Sequence, residues 1–203
     1  YNPDMKLIAI LRNPADRAYS EFVHYIRDGV EPYALDNFLK AFDEGQWRLQ
    51  QGWHPHWNYE QKGFYAKQLS RYFDLFPKEN VRVYLYEDLK NDQAALIKDL
   101  FGFIGVNAGF QPDTSLAYNV TGLPKSRTVQ DFVKRPNILK SVLRPLVPLA
   151  LRRRIKERVE QSNLERMPPL SKEQRTYLSD YYKADIEQLE ALIGRDLSAW
   201  KMP

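Results

Sequence analysis

One junction constrains this chain more than any other feature: Met5-Lys-Leu-Ile-Ala-Ile-Leu11, followed directly by Arg12-Asn13-Pro14. The first part is short, nearly continuously apolar and bounded by polar residues, the pattern of a strand buried on both faces of an α/β sheet. Asn13 then supplies an N-cap, and Pro14 a first helical residue whose φ is already set. A helix is expected from Ala15 to about Asp28, stopped by Gly29. Arg12 therefore stands at the carboxyl end of a strand, where open α/β sheets bind ligands.

The same alternation continues downstream. Leu35 to Trp47 reads as a helix with Leu35, Phe38, Leu39 and Phe42 on one face, and Gly52 to Asn58 as a loop. Phe64 to Phe76 is a helix ended by Pro77, Val81 to Tyr86 a second strand, and about Asp92 to Ile104 a further helix. Residues 107–127 are mostly irregular. A basic helical segment over 134–160, broken by Pro145 and Pro148, precedes a long helix from Ser171 to Ile193. That last helix opens on a capping box, Ser171 to Gln174, and closes at Gly194. Strand, helix, strand, helix implies a parallel sheet with helical crossovers. Two strands make only part of such a sheet, and the remainder is expected upstream of Tyr1.

With 203 residues, 43% hydrophobic and 28% charged, the chain fits one globular domain, 1–203. It has no cysteine, which removes disulfides and thiolate zinc sites and suits a cytoplasmic location. No apolar run approaches the length of a membrane span. A net charge of +4 is weak for nucleic acid, but Lys134 to Arg158 holds nine Lys or Arg against the single acid Glu157. There Arg144, Arg152, Arg153, Arg154, Lys156 and Arg158 interleave with apolar residues, so the segment fits an anionic membrane surface, an anionic polysaccharide, or simply the solvated face of a packed helix.

Ser20 lies six residues beyond Pro14, about 9 Å along a helix axis. It therefore meets an anion from the helix flank, on the face that carries Arg17, rather than at the amide cluster of the N-terminus. Arg12 offers a permanently charged planar fork and Ser20 a neutral hydroxyl, and together they suit a phosphate. The competing reading pairs Arg12 with Asp16 or another acid and leaves Ser20 an ordinary hydroxyl.

The segment Lys6 to Ser20, with its Arg-Asn-Pro-x-x-Arg-x-x-Ser core, resembles the 3′-phosphate-binding motif of sulfotransferases that use the donor PAPS (3′-phosphoadenosine 5′-phosphosulfate), in the style of the bacterial and heparan-sulfate branches. Gly63-Phe-Tyr65 with Leu69, Phe76-Pro77, Val81 to Leu89, Phe103-Ile-Gly-Val106 and Gly194 to Trp200 follow in the order usual for that family. The resemblance implies a helix-rich α/β, P-loop NTPase-like three-layer fold with an incomplete parallel sheet, and transfer of a sulfuryl group from PAPS to a hydroxyl or amine, releasing PAP (3′-phosphoadenosine 5′-phosphate) without a metal. It implies that Arg12 and Ser20 bind the 3′-phosphate. It also likens Asn119 to Arg127 to a late donor-binding loop, in which Lys125, Ser126 and Arg127 are further contacts.

His24, four residues after Ser20 on the same helix face, is similar to a histidine of some relatives near the transferring group and is a candidate for proton transfer or for offsetting charge on the bridging oxygen, the competing reading being a hydrogen-bonded helix histidine. Tyr65, after Gly63, stands where similar proteins face the cleft, and is expected to bind substrate there, positioning donor or acceptor. His54 and His56, between Trp53 and Trp57, are candidates for the acceptor side; a metal at this pair lacks a third ligand. No G-x-x-x-x-G-K-[ST] loop for the 5′-phosphosulfate precedes Arg12, and the main catalytic base is likewise expected in missing upstream sequence, so the chain is read as part of a larger one. Two rivals stay open: another P-loop nucleotide-binding enzyme such as a kinase, and a non-catalytic anion- or membrane-binding module.

Overall fold

A computed structural model describes residues 2, 4–110, 112, 122–126, 128–129 and 148–202. The described chain forms two compact units. The larger comprises Tyr1–Phe22, Asp36–Tyr118 and Leu170–Pro203, the smaller Val23–Leu35 and Asn119–Pro169.

The larger unit is built around strand β1 (Leu7–Leu11), which passes into helix α1 (Pro14–Asp28) through Arg12 and Asn13. Asn13 caps α1 as expected: its buried Oδ1 accepts from the N–H of Ala15 at 2.9 Å and, more weakly, of Asp16 at 3.4 Å. Two short helices follow, α2 (Phe38–Asp43) and α3 (Gly45–Gln50), where the apolar pattern predicts one. The break falls at Glu44, and α3 opens on Gly45. A Cβ there would lie 2.8 Å from Asn58 Oδ1, so the chain turns where only glycine can approach Asn58 so closely.

Helix α4 (Tyr65–Leu75) leads to strand β2 (Val81–Leu85), then to the short α5 (Tyr86–Asn91) and to α6 (Gln93–Ile104), which Asp92 caps and Gly105 terminates at φ +81°. β1 and β2 pair in parallel, Leu7 beside Val81 through to Leu11 beside Leu85. The parallel pair and its crossover are as the sequence predicts.

Among the described residues β1 is covered more fully on one face than on the other. Leu11 is buried, but Ile8 and Ile10 on the opposite face are 41% and 50% exposed. On that face α6 covers β2, with Tyr84 donating to Asp99 at 2.7 Å and the Arg82 guanidinium over Phe103. Among the described residues, nothing covers β1 to the same extent.

The other face of the unit carries an aromatic core. Tyr19, Phe22, Phe38, Phe42, Tyr59 and Tyr182 are almost completely buried, with ring centroids 5.0–6.1 Å apart in tilted and edge-to-face pairs. Tyr182 belongs to α8, the long helix Lys172–Ile193; the smaller unit contributes the intervening α7 (Leu149–Ser162). The expected capping box of α8 is present in both directions, at 3.0 and 3.2 Å.

α8 also completes α4, which has no side-chain cap of its own. Asp185, buried on α8, accepts from the N–H groups of Ala66 at 3.0 Å and Lys67 at 3.2 Å. Asp185→Ala strands these donors, the Ala66 N–H in a buried position. The expected loss is about 1–3 kcal/mol, read as a lower urea midpoint at unchanged m-value. Asp185→Asn, which keeps one acceptor, should fall between.

In the smaller unit, Gly29 ends α1 at φ +73°, and the Tyr25 carbonyl accepts from both Val30 and Glu31. Strands β3 (Gly122–Pro124) and β4 (Leu164–Arg166) form an antiparallel pair, β3 inside the stretch the sequence leaves irregular and β4 between the last two predicted helices. Three-residue strands are too short for a periodic signal.

Candidate functional site

Because Leu11 pairs with Leu85, the next residue of each strand also stands side by side: Arg12 after β1 and Tyr86 after β2. The Arg12 guanidinium lies over the Tyr86 ring, 5.3 Å from its centroid. Among the described residues it has no carboxylate partner. Asp16, the obvious rival for it, is instead bound by Arg175 at 2.7 Å.

Tyr65 holds Arg12 from the other side. Its hydroxyl donates to the Arg12 carbonyl at 2.9 Å. Burial pushes the Tyr65 phenol up to about 12, so the O–H keeps its proton, and this donor, across the ordinary pH range. Its ring packs on Trp200 at 6.3 Å. Trp200 in turn donates from Nε1 to Glu87 at 3.3 Å, and its carbonyl receives the Asn13 amide at 3.5 Å. The C-terminal Gly194 to Trp200 segment thus lies against the strand–helix junction. Arg195 fastens it further through a two-pronged pair with Asp88, at 2.5 and 2.8 Å. That guanidinium holds the Asp88 carboxyl below the usual carboxylate range.

Ser20 sits on α1, 7% exposed, and Arg17 on the same helix is committed elsewhere, to Glu21 at 2.6 Å and to the Tyr59 carbonyl. Of the two arginines in the motif, only Arg12 is left without an anionic partner among the described residues. His24 follows on α1, half-buried.

Lys125 and Ser126 lie in the smaller unit, beside the β3–β4 pair. The Lys125 ammonium donates to the Ser162 carbonyl at 2.9 Å, which leaves two of its three donors. Buried Asn163 brackets Ser126, accepting its N–H and donating to its carbonyl, both at 3.0 Å. The Ser126 hydroxyl accepts from Val129 at 3.3 Å. Arg127 lies outside the described residues, as do 134–147 of the basic segment. In α7, Leu151 and Ile155 are about half exposed, with Arg154 and Arg158 exposed beside them.

His54 and His56 are exposed, their rings 4.1 Å apart, and His54 Nδ1 accepts the His56 N–H at 3.3 Å. Trp53 and Trp57 meet edge-to-face beneath them, and Arg48, 1% exposed, lies under Trp53. The tryptophans pack the loop down and the histidines face out. Among the described residues no hydrogen bond, ion pair or ring contact joins this pair to Arg12 or Tyr65, and no group of three or more His, Asp or Glu is placed to hold a metal ion. No helix of the described residues is long and apolar enough to cross a membrane.

Comparison with known proteins gives this geometry a lineage. Residues 1–132, more than half of the chain, match the family profile described as sulfotransferase domain. The chain belongs to the sulfotransferase family. Bifunctional heparan sulfate N-deacetylase/N-sulfotransferase 4 of Mus musculus is 24% identical over 98% of this chain and 20% of its own length. Heparan sulfate glucosamine 3-O-sulfotransferase 6 of Homo sapiens is 29% identical over 77% of this chain and 44% of its own. The crystal structure of a sulfotransferase from Alicyclobacillus acidocaldarius superposes with a TM-score of 0.68 at 29% identity, covering 98% of this chain and 58% of that one. The fold is therefore the helix-rich, P-loop-like α/β fold of sulfotransferases. This sulfotransferase chain spans about a fifth of the heparan sulfate N-sulfotransferase that it matches.

Tyr86 and Trp200 are the site residues that reading the sequence did not single out as such. Tyr86 had a signal: it stands one residue past its strand, as Arg12 does. Trp200 enters only as the last residue of the family-like stretch Gly194 to Trp200, because the residues it touches, Asn13, Tyr65 and Glu87, come from three distant segments.

Proposed function

We propose that this chain grips the 3′-phosphate of PAPS with Arg12 and Ser20, and that it serves transfer of a sulfuryl group to a hydroxyl or amine. One observation carries the reading: the Arg12 guanidinium is held at the carboxyl end of a parallel strand with no carboxylate partner among the described residues, while the nearest acid in sequence is bound by Arg175. A permanent cation fixed by its neighbours yet electrically unpaired is preorganised for an anion.

In the proposed reaction the acceptor oxygen or nitrogen forms a bond to sulfur as the bond from sulfur to the bridging oxygen breaks. The acceptor proton passes to a base, and PAP leaves with the bonding pair on its 5′-phosphate. Arg12 and Ser20 orient the donor at its far end, and Tyr65 fixes Arg12 through its backbone. His24, on the same helix as Ser20, is assigned proton transfer. The exposed His54 and His56 are assigned to the acceptor. For Lys125, Ser126 and Arg127 as donor contacts, and for a separate loop on the 5′-phosphosulfate, the resemblance is the support. The absence of cysteine favours a cytoplasmic setting, and the exposed Leu, Ile and Arg of α7 favour contact with an anionic surface.

The test is calorimetric titration with PAP. Arg12→Ala should weaken binding about 100-fold, the loss of a charge-assisted pair, and Ser20→Ala about fivefold, the loss of one neutral hydrogen bond. Unfolding midpoints of the Arg12 variant should hardly move, because its guanidinium closes no ion pair. Equal PAP affinity in wild type and both variants would sink the assignment.

A further inference from the structure

Tyr86 carries a second cation. On α5, one turn beyond Tyr86, the Lys90 ammonium lies 4.9 Å from the centroid of the ring that Arg12 also covers, at 5.3 Å. The two distances bound the separation of the charges at about 10 Å, no more than a Debye length at 0.1 M salt. Like charges at that range repel unless something negative sits between them. The acids nearby are turned away. Glu87 receives Trp200, Asp88 is bound by Arg195, Asp16 by Arg175, and Asp92 caps α6 through the Ala95 N–H. Among the described residues Lys90, like Arg12, has no carboxylate partner.

The charge on the presumed ligand makes the same demand. A phosphate monoester carries about −1.5 to −2 at neutral pH. Of the donor contacts assigned within the larger unit, Arg12 supplies one positive charge and Ser20 none, so these two by themselves leave the phosphate undercompensated.

We propose that Lys90 is a second cation for this phosphate, so that Arg12, Tyr86 and Lys90 form one anion-binding wall that distinguishes nucleotides with a 3′-phosphate from those without. The inference rests on the donor-site reading above. Tyr86 lies against both cations, which limits their freedom before the anion arrives. Lys90 is exposed, so the wall closes from the solvent side.

The experiment compares PAP with adenosine 5′-monophosphate, the same nucleotide without the 3′-phosphate, in wild type, Lys90→Gln and Lys90→Arg. Lys90→Gln should weaken PAP about fivefold and leave the monophosphate unchanged, with the deficit fading near 1 M salt, where the Debye length is about 3 Å. Lys90→Arg should restore most of the lost affinity, which no purely structural role of an exposed side chain predicts. If wild type prefers PAP and Lys90→Gln binds it equally well, Lys90 has no such role and Arg12 acts without it. Equal weakening of both nucleotides would also overturn the proposal, placing Lys90 on a group they share. If wild type itself fails to prefer PAP, the donor-site reading falls and this proposal with it.

Discussion

Trp200→Ala should lower the stability of the fold by about 3–5 kcal/mol, the range for removing a large buried aromatic ring. The side chain is 4% exposed, although only three residues follow it in the chain. It fills the space beside Tyr65 and lies within bonding reach of Glu87. Little could move in to close the cavity, because Arg195 and Lys201 pin the backbone on either side, to Asp88 and Glu190 respectively. Trp200→Phe keeps most of the packing but leaves Glu87 without its indole donor, and should cost about 1 kcal/mol. Urea unfolding followed by circular dichroism reads both. A loss under about 1 kcal/mol for the alanine variant would show that the C-terminal segment only rests on the junction rather than holding it.

Gly63→Ala should be nearly as damaging from a change of one methyl group. An added Cβ would lie 2.5 Å from two ring carbons of Tyr182 and 2.6 Å from its hydroxyl, far inside contact distance. The ring cannot swing aside. It is fully buried, packed between Phe42 and Phe64, and its hydroxyl donates to the Glu60 carbonyl at 2.9 Å. Relief must come from shifting α4 relative to α8, and the expected cost is about 3 kcal/mol. Gly102→Ala is the control. It lies within α6 with nothing inside 4 Å of its Cβ, so alanine there should stabilise by about 0.5–1 kcal/mol through helix propensity alone. Matching effects at the two glycines would mean that the contact with Tyr182 is not tight.

Much of this architecture is local and therefore readable. α1 begins at Pro14 and ends before Gly29 because cap, proline and glycine act within one turn of themselves. The capping box of α8 is legible for the same reason, as are the two strands, whose apolar runs are self-contained. The break between α2 and α3 was not, since it depends on Asn58 arriving at Gly45 from thirteen residues away. α4 shows the same limit, because the acceptor for its first amides comes from Asp185, more than a hundred residues later.

The candidate site divides in the same way. From sequence alone, Arg12 follows a strand and Ser20 sits on the flank of a capped helix, because both statements need only the periodicity of the chain around them. Sequence left undecided whether Arg12 is neutralised. Asp16 is four residues away, the right kind of neighbour, and pairs at such short range are decided by competition for the same charge. Only the tertiary structure brings Arg175 from α8 to take Asp16, and only the parallel register of β1 and β2 sets Tyr86, with Lys90 beyond it, against Arg12. Electrostatic pairing depends on distance in space and not along the chain, so the motif supplied the cation and the fold left it unpaired.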